Sequence, residues 1–307
     1  CIGGQATILD VNYTGGTGTV SYQWYLNTSN STIGGTLISG ATSSSYTPPV
    51  YSSSGTYYYY VEISLSGSGC GIATSEVYQV EVVADPVIDT QALTYQELCQ
   101  DVTAQDLVVI ISGGVGTSYN YQWYSNTTNS TTGGTALTGA TSSVYTPSTT
   151  SVGTMYYYVE VTQSASGCSV LSDVSTVQVN TSPTVVTQPI GSIVCEGGVA
   201  TQLSVSTANG VGTPTYQWYV NTTDSITGGT AIAGATASTY DPPTSTAGIL
   251  YYYVVITFPT GGCSEVISNT ASVEVVPLIT IDTPPSPETL CIGGQATILD
   301  VNYTGGT

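Results

Sequence analysis

Repetition constrains what this chain can fold into more tightly than any other property it has. Its three tryptophans stand in one phrase, Tyr22-Gln23-Trp24-Tyr25, Tyr121-Gln122-Trp123-Tyr124 and Tyr216-Gln217-Trp218-Tyr219, at spacings of 99 and 95 residues. Each phrase is followed by an Asn-Thr turn, a Gly-Gly pair (Gly34-Gly35, Gly133-Gly134, Gly228-Gly229), a Gly-Ala-Thr turn and a tyrosine run that begins near Tyr57, Met155 and Leu250. A fixed period of this kind marks a tandem array of one structural unit. A longer period lies above it, because Cys1 to Thr17 recurs letter for letter as Cys291 to Thr307, an offset of 290 residues. The chain therefore reads as a three-domain super-repeat and the opening of the next. The domains fall at 1–84 (first strand missing), 85–180, 181–277 and 278–307, and residues ahead of Cys1 would resemble Leu278 to Leu290.

The expected junctions carry proline and acid: Ala84-Asp85-Pro86, Ser182-Pro183 to Pro189, and Thr283-Pro284-Pro285-Ser286-Pro287. Proline fixes φ and lacks an amide donor, which suits a stiff connection and not a central strand. Within each unit, alternating stretches such as Gln5-Ala6-Thr7-Ile8-Leu9-Asp10-Val11 and Val77-Tyr78-Gln79-Val80-Glu81-Val82 predict half-buried strands, and helix is nearly absent. A period near 97 residues matches the size of a small β-sandwich.

Charge narrows the function. The 307 residues contain no lysine, arginine or histidine against 19 acids, a formal net charge of −19. Nucleic acid is excluded as a direct partner, since affinity for phosphate rests on basic side chains, and anionic membrane surfaces are repelled for the same reason. Salt bridges and lysine isopeptide staples cannot form. General bases are limited to carboxylates or perturbed Tyr and Cys, no paired-acid motif repeats, and the many serines have no histidine to activate them. No enzymatic role is expected, and the bias reads as solubility and mutual repulsion of a long exposed fibre or as resistance to trypsin-like proteases. No apolar stretch of 18 residues occurs, so no membrane insertion is expected of this segment.

The order of marks resembles an immunoglobulin-type sandwich: Ile8 and Val11 on strand B, Trp24 on strand C, Gly55 to Val61 on strand F, then a Gly-Ser-Gly hairpin and strand G ending Val80-Glu81-Val82. The expected fold is all-β, tandem immunoglobulin-like β-sandwich domains in a rod-like head-to-tail array. Two-residue periodicity then turns Tyr57, Tyr59 and Val61 inward, with Met155, Tyr157, Leu250 and Tyr252 in the same phase, and Tyr58, Tyr60 and Glu62 outward. The usual core cysteine positions hold Val11 and Tyr59. The cysteines are elsewhere: Cys1, Cys99 and Cys195 a few residues before strand B, and Cys70, Cys168 and Cys263 in the F–G hairpin, at spacings of 69, 69 and 68. Such regularity argues for disulfides in an oxidising compartment. The start of B and the end of F lie at opposite ends of a sandwich, roughly 27 Å apart for an eight-residue strand, whereas a disulfide needs Cα atoms within about 7 Å. In a head-to-tail array the preferred pairs are Cys1–Cys168 and Cys99–Cys263, leaving Cys70, Cys195 and Cys291 for partners outside the fragment. Pairing within a domain and free thiols remain open alternatives.

The combination Cys-x-Gly-Gly, Tyr-Gln-Trp-Tyr-x-Asn-Thr, Gly-Gly-Thr, Gly-Ala-Thr, a Tyr-Tyr-Tyr-Val strand and Gly-Cys resembles the repeated Ig-like domains of giant surface proteins of Bacteroidota, such as gliding-motility adhesins of the SprB kind. That resemblance implies export by the type 9 secretion route, a filament on the bacterial outer surface, and attachment or gliding.

Three further features invite functional readings. Tyr25, Tyr58 and Tyr60 would share one exposed face of strands C and F, repeated as Tyr124, Tyr156 and Tyr158 and as Tyr219, Tyr251 and Tyr253. Such a face suits adhesion to an external surface or glycan, or merely cross-strand pairing. Asp85, Asp89, Glu97, Asp101 and Asp106 place five acids in 22 residues. They are either Ca²⁺ ligands, with Asp85, Asp89 and Asp101 the candidates, or a solvated acidic linker, and no other cofactor is expected. Asn27, Asn126, Asn221, Asn30, Asn129 and Asn180 fit the N-glycosylation sequon but read chiefly as turn formers. Asp224-Ser225-Ile226 resembles the O-glycosylation motif of Bacteroidota. Two functions stay in play, a structural stalk and a multivalent binding module. The partners expected are neighbouring domains of the same long chain and an external target.

Overall fold

A computed structural model describes residues 1–67, 71–263 and 265–305, and every regular element among them is a β-strand. The chain forms two compact units, one of Cys1–Gln96, Gln105–Pro147 and Met155–Val177, the other of Glu97–Ala104, Ser148–Thr154 and Gln178–Thr307. The division passes through the middle of three sandwiches, and each unit is described by itself.

The third sandwich lies wholly in the second unit and shows the complete pattern. Its strands are A (Thr184–Thr187), A′ (Ser192–Cys195), B (Leu203–Ser204 and Ser206–Ala208), C (Thr215–Asn221), C′ (Thr230–Ala231), E (Thr239–Tyr240), F (Gly248–Thr257) and G (Val266–Ile267 and Ala271–Val276). One layer pairs A with B and B with E, and the other runs A′-G-F-C-C′. A′ is parallel to G, with Ser192 opposite Val273 and Cys195 opposite Val276. This strand order is that of an immunoglobulin-like sandwich. Alternation fills the space between the layers: Leu203, Trp218, Tyr252, Val254, Ile256, Val273 and Val275 form one buried cluster.

The motif phrases now have causes. Gln217 reaches past its own strand and donates from Nε2 to the carbonyls of Trp218 (2.9 Å) and Ile232 (2.8 Å), tying C to the turn that follows C′. Gln23 and Gln122 repeat both bonds. Each indole N–H donates to a carbonyl nineteen residues on, Trp24 to Ser43, Trp123 to Ser142 and Trp218 to Ala237, at 2.8–2.9 Å. The buried tryptophan therefore leaves no polar atom unsatisfied.

The middle sandwich repeats the order, with A′ at Tyr95–Cys99, C at Tyr119–Asn126 and F at Gly153–Gln163. The first, in the first unit, has B (Leu9–Asp10), C (Thr19–Asn27), C′ (Thr36–Leu37), E (Ser45–Tyr46), F (Gly55–Ser66) and G (Ala73–Thr74 and Tyr78–Val82) among the described residues. Among the described strands Thr280–Thr283 and Asn302–Thr304 pair only with each other, as A and B pair in the third sandwich.

Four expectations need correction. On strand B it is Leu9 that is buried, at 8% exposure, while Ile8 is 62% exposed, because strand alternation sends Leu9 and Val11 inward and Ile8 outward. Met155 and Leu250 are half-buried, one turn of the pleat nearer the sandwich end than Tyr157 and Tyr252. Cys99 and Cys195 precede B as read, but they end a strand that the sequence reading lacked, A′, whose four or five residues are short enough to read as linker beside proline. Finally, Pro284 to Pro287 are not the third junction. G ends at Val276 and the next A begins at Thr280, so the connection is Pro277-Leu278-Ile279 and the prolines lie between A and B of the following domain.

Candidate functional site

The ends of the sandwiches concentrate the chemistry. In the first unit Cys1 is bonded to Cys168, with Cα atoms 5.4 Å apart, and in the second unit Cys99 is bonded to Cys263 at 4.9 Å. Both distances suit unstrained cross-links. In each, a cysteine ahead of strand B, for Cys99 the last residue of A′, joins the F–G hairpin of the next sandwich, the geometry of the inter-domain alternative. The sequence separations are 167 and 164. Cys195 and Cys291 are unpaired and exposed, and Cys70 lies outside the described residues.

The second unit surrounds its disulfide with close backbone contact. Asn180, at the end of G in the middle sandwich, is buried and donates from Nδ2 to Glu97 Oε1 (2.8 Å) and to the Gly261 carbonyl (3.0 Å). Its own carbonyl accepts from Gln100 N–H (2.8 Å). Gly262 lies so near strand A′ that an added Cβ would stand 2.0 Å from the Glu97 carbonyl oxygen, and its φ is +63°, so only glycine fits. Asn180 is thus a junction residue and not the turn former expected, a role no sequence pattern points to.

The first unit organises its cysteine through Gln163. Its side chain is fully buried, accepts from Val115 N–H (2.6 Å) and Ser166 Oγ (2.9 Å), and donates to the Gly116 carbonyl (3.2 Å). Its main-chain N–H donates to the Cys168 carbonyl at 2.8 Å. One polar side chain thereby fixes the B–C loop and the hairpin that carries the disulfide. Phe258 fills the corresponding place in the third sandwich, under Gly210.

Acidic candidates are scattered through other tasks. Asp89 accepts from Ser112 Oγ (2.8 Å), Asp106 accepts from Thr146, and Glu97 is the Asn180 acceptor. Asp101 has φ +65°, taking the turn position that Gly3, Gly197 and Gly293 occupy after the other cysteines. Among the described residues the group of three potential ligands is Cys1, Asp85 and Cys168, whose sulfurs are already joined to each other. A disulfide sulfur is no thiolate ligand, so this group does not fit a metal ion.

The tyrosine face is corrected in part. Tyr60, Tyr158 and Tyr253 point away from the core as expected, yet they are only 3–4% exposed. The loop after C folds over them: an added Cβ on Gly35, Gly134 or Gly229 would come within 2.7–2.8 Å of their ring or hydroxyl atoms. This explains the Gly-Gly pair. Each buried ring stacks on its strand C neighbour, Tyr25 on Tyr60 (4.9 Å), Tyr124 on Tyr158 (5.0 Å) and Tyr219 on Tyr253 (5.2 Å), all within 6° of parallel. Tyr25 and Tyr124 donate to Glu62 Oε2 (2.9 Å) and Glu160 Oε2 (3.2 Å). The bond to Glu62 and then burial raise the Tyr25 pKa; burial and then Glu160 raise that of Tyr124. Tyr58, Tyr156 and Tyr251 are half-buried. The face is a set of closed aromatic ladders, each short of the three exposed rings expected.

Three of the six sequon asparagines are turn formers. Asn27 Nδ2 donates to the Ser31 (2.8 Å) and Ile33 (3.1 Å) carbonyls while Oδ1 accepts from Ser29 N–H, and Asn126 and Asn221 repeat the pattern. Asp224 accepts from Thr270 Oγ1. No helix of the described residues is long and apolar enough to cross a membrane.

A family model described as a domain of unknown function (DUF8696) matches residues 187–277, the third sandwich from the end of strand A onward. No curated protein matches the sequence. Among solved structures, the chain is similar to Drosophila OTK extracellular domains 3–5 at 14% identity, covering 89% of this chain and 92% of that one, with a TM-score of 0.42. Sidekick-1 immunoglobulin domains 1–5 match at 14% identity over 99% of this chain, which spans 62% of their length, with a TM-score of 0.29. The insect immune protein hemolin matches at 12% identity over 91% of this chain and 75% of its own, with a TM-score of 0.27.

Proposed function

We propose that this chain is a non-catalytic, extracellular stalk segment whose domains are stapled to one another, part of a long adhesive fibre. The observation that carries the reading is the pair of disulfides at successive junctions, each running from a cysteine ahead of strand B to the F–G hairpin of the next sandwich. The two loops they close overlap, so the shortest covalent route from Cys1 to Cys263 falls from 262 peptide units to 69 (168 − 99). Carried through a 290-residue repeat, the same rule pairs Cys195 with the copy of Cys70 that follows it, at a separation of 70 + 290 − 195 = 165, between the two observed values. A fibre so linked bears tension without paying out its folded chain. The lack of any cationic side chain supports the non-catalytic reading and keeps neighbouring fibres apart by repulsion. Oxidised cross-links support an extracellular setting. A place on the bacterial outer surface, export by type 9 secretion and a part in attachment or gliding rest on the sequence resemblance.

Single-molecule pulling between residues 1 and 263 tests the stapled reading. At about 3.5 Å per residue the oxidised chain should stop near roughly 240 Å, and the reduced chain should extend to about 900 Å. Equal limits in both states would end the proposal.

A further inference from the structure

The two staples differ in what stands beside them. In the first unit a carboxylate oxygen of Asp85 lies within 4.8 Å of both Cys1 Sγ and Cys168 Sγ. Asp85 is half-buried and Cys168 is 1% exposed, so the acid and the cross-link share a partly desolvated corner of that unit. Among the described residues no acid is grouped in this way with Cys99 and Cys263. Glu97, two residues before Cys99, is the acceptor of the Asn180 amide at 2.8 Å. The position that matches Asp85, just ahead of a junction proline in Asp85-Pro86 and Ser182-Pro183, holds a neutral serine in the second unit.

A negative charge in that place acts on every stage of thiol–disulfide exchange. The attacking species is a thiolate, which bonds to one sulfur while the S–S bond breaks and its electron pair leaves on the other sulfur as a new thiolate. A second external thiolate then attacks the mixed disulfide, so that two small thiols are oxidised to one disulfide and the protein is left with two thiols. Asp85 repels the arriving thiolate, the charge spread along the three sulfurs in the transition state, and the thiolate that departs. The effect is the same whether Cys1 or Cys168 is attacked, because the carboxylate is near both sulfurs. A thiolate that must form beside an anion is also a poorer leaving group.

We propose that Asp85 guards the first staple against small anionic thiols, so that the two junctions differ in their resistance to reduction. The formal charge of −19 repels an anionic thiol from the whole chain, whereas Asp85 acts on one disulfide alone. The inference rests on the stapled reading and adds to it a residue that sets how long one staple lasts.

Timed reduction of the full chain, with the freed cysteines alkylated and mapped by mass spectrometry, tests it, because both disulfides report from one molecule. Asp85→Asn should speed the cleavage of Cys1–Cys168 by glutathione, a thiol of net negative charge, at least about threefold and leave Cys99–Cys263 at its parental rate. Cysteamine, whose ammonium group offsets the charge of its thiolate, should gain less than glutathione from the same substitution. An unchanged glutathione rate would overturn the inference, and so would an equal gain with cysteamine, which would mean that the substitution loosens the junction. Cys168 found unlinked to Cys1 before any thiol is added would overturn the stapled reading and the inference with it.

Discussion

The first and third sandwiches share every motif phrase, yet they complete their cores differently. Both centre on a tryptophan at 0% exposure, stacked on a strand E tyrosine that in turn touches a strand F tyrosine: Trp24, Tyr46 and Tyr59 in one, Trp218, Tyr240 and Tyr252 in the other. In the third, G adds Ala271, Val273 and Val275 to the cluster and A′ lays Val194 against it. In the first, G contributes a half-buried Val80, and Tyr51 closes the same end by stacking on Tyr57 at 3.6 Å and bonding to the Tyr59 hydroxyl. The repeated letters therefore specify the aromatic centre. The ends of each core depend on short strands that the repeat motif does not include.

The largest effects should come from the centre and should expose that difference. Replacing Trp218 or Trp24 by Ala deletes a fully buried side chain and should cost about 3–5 kcal/mol in either sandwich. The loss should be greater for Trp218, because Ala271, Val273, Val275 and Val194 brace the walls of its cavity, whereas strand G gives the cluster around Trp24 a half-buried Val80. Denaturant unfolding followed by hydrogen exchange in each sandwich measures both; equal losses would show that the lighter packing from strand G leaves the first core no softer. A smaller effect separates the ends of G. Asn180→Ala withdraws the donor from Glu97 and from the buried Gly261 carbonyl and should cost about 1–3 kcal/mol. Val83→Ala, at the corresponding half-buried position of the first sandwich, should cost less than about 1 kcal/mol, since it leaves no polar group unpaired.

What could be read in advance follows from where the physics is local. Strand alternation is local, so the inward set Tyr59, Tyr157, Tyr252 and the tryptophans was legible, as were the turn roles of Asn27, Asn126 and Asn221. Outward direction, however, is not exposure: Tyr60 is covered by Gly35 from a loop twenty-five residues away, and two-residue periodicity carries no information about loops. The A′ strands were missed because four residues between proline and cysteine show no period, and only their pairing with G, some eighty residues on, makes them strands. Asn180 and Gln163 sit in unremarkable polar surroundings in sequence; their partners are supplied by tertiary approach. The cysteines were legible as a pattern because three pairs at nearly equal spacing, together with the reach of a disulfide, left few alternatives.

Alkaline titration should sharpen the contrast between the two cores with the gentlest perturbation. Burial, then the charge of Tyr240, pushes the Tyr252 hydroxyl up to about 12 from an ordinary value near 10. Burial raises Tyr59 as well, and the hydrogen bond with Tyr51 raises it further. Below pH 10 both phenols are neutral folded or unfolded, and stability is independent of pH on their account. Above it the unfolded chain releases protons that the folded chain retains, so stability falls as pH rises through 12 for Tyr252. Tyr51→Phe removes the hydrogen bond and the Tyr51 charge that act on Tyr59, keeps its burial and the charges of Tyr46 and Tyr57, and leaves Tyr252 untouched. Spectrophotometric titration of the variant should move one buried tyrosine toward the ordinary value while the third sandwich's titration stays where it was. A shift in both would mean that the alkaline transition is global, and that the two cores do not titrate as separate structures.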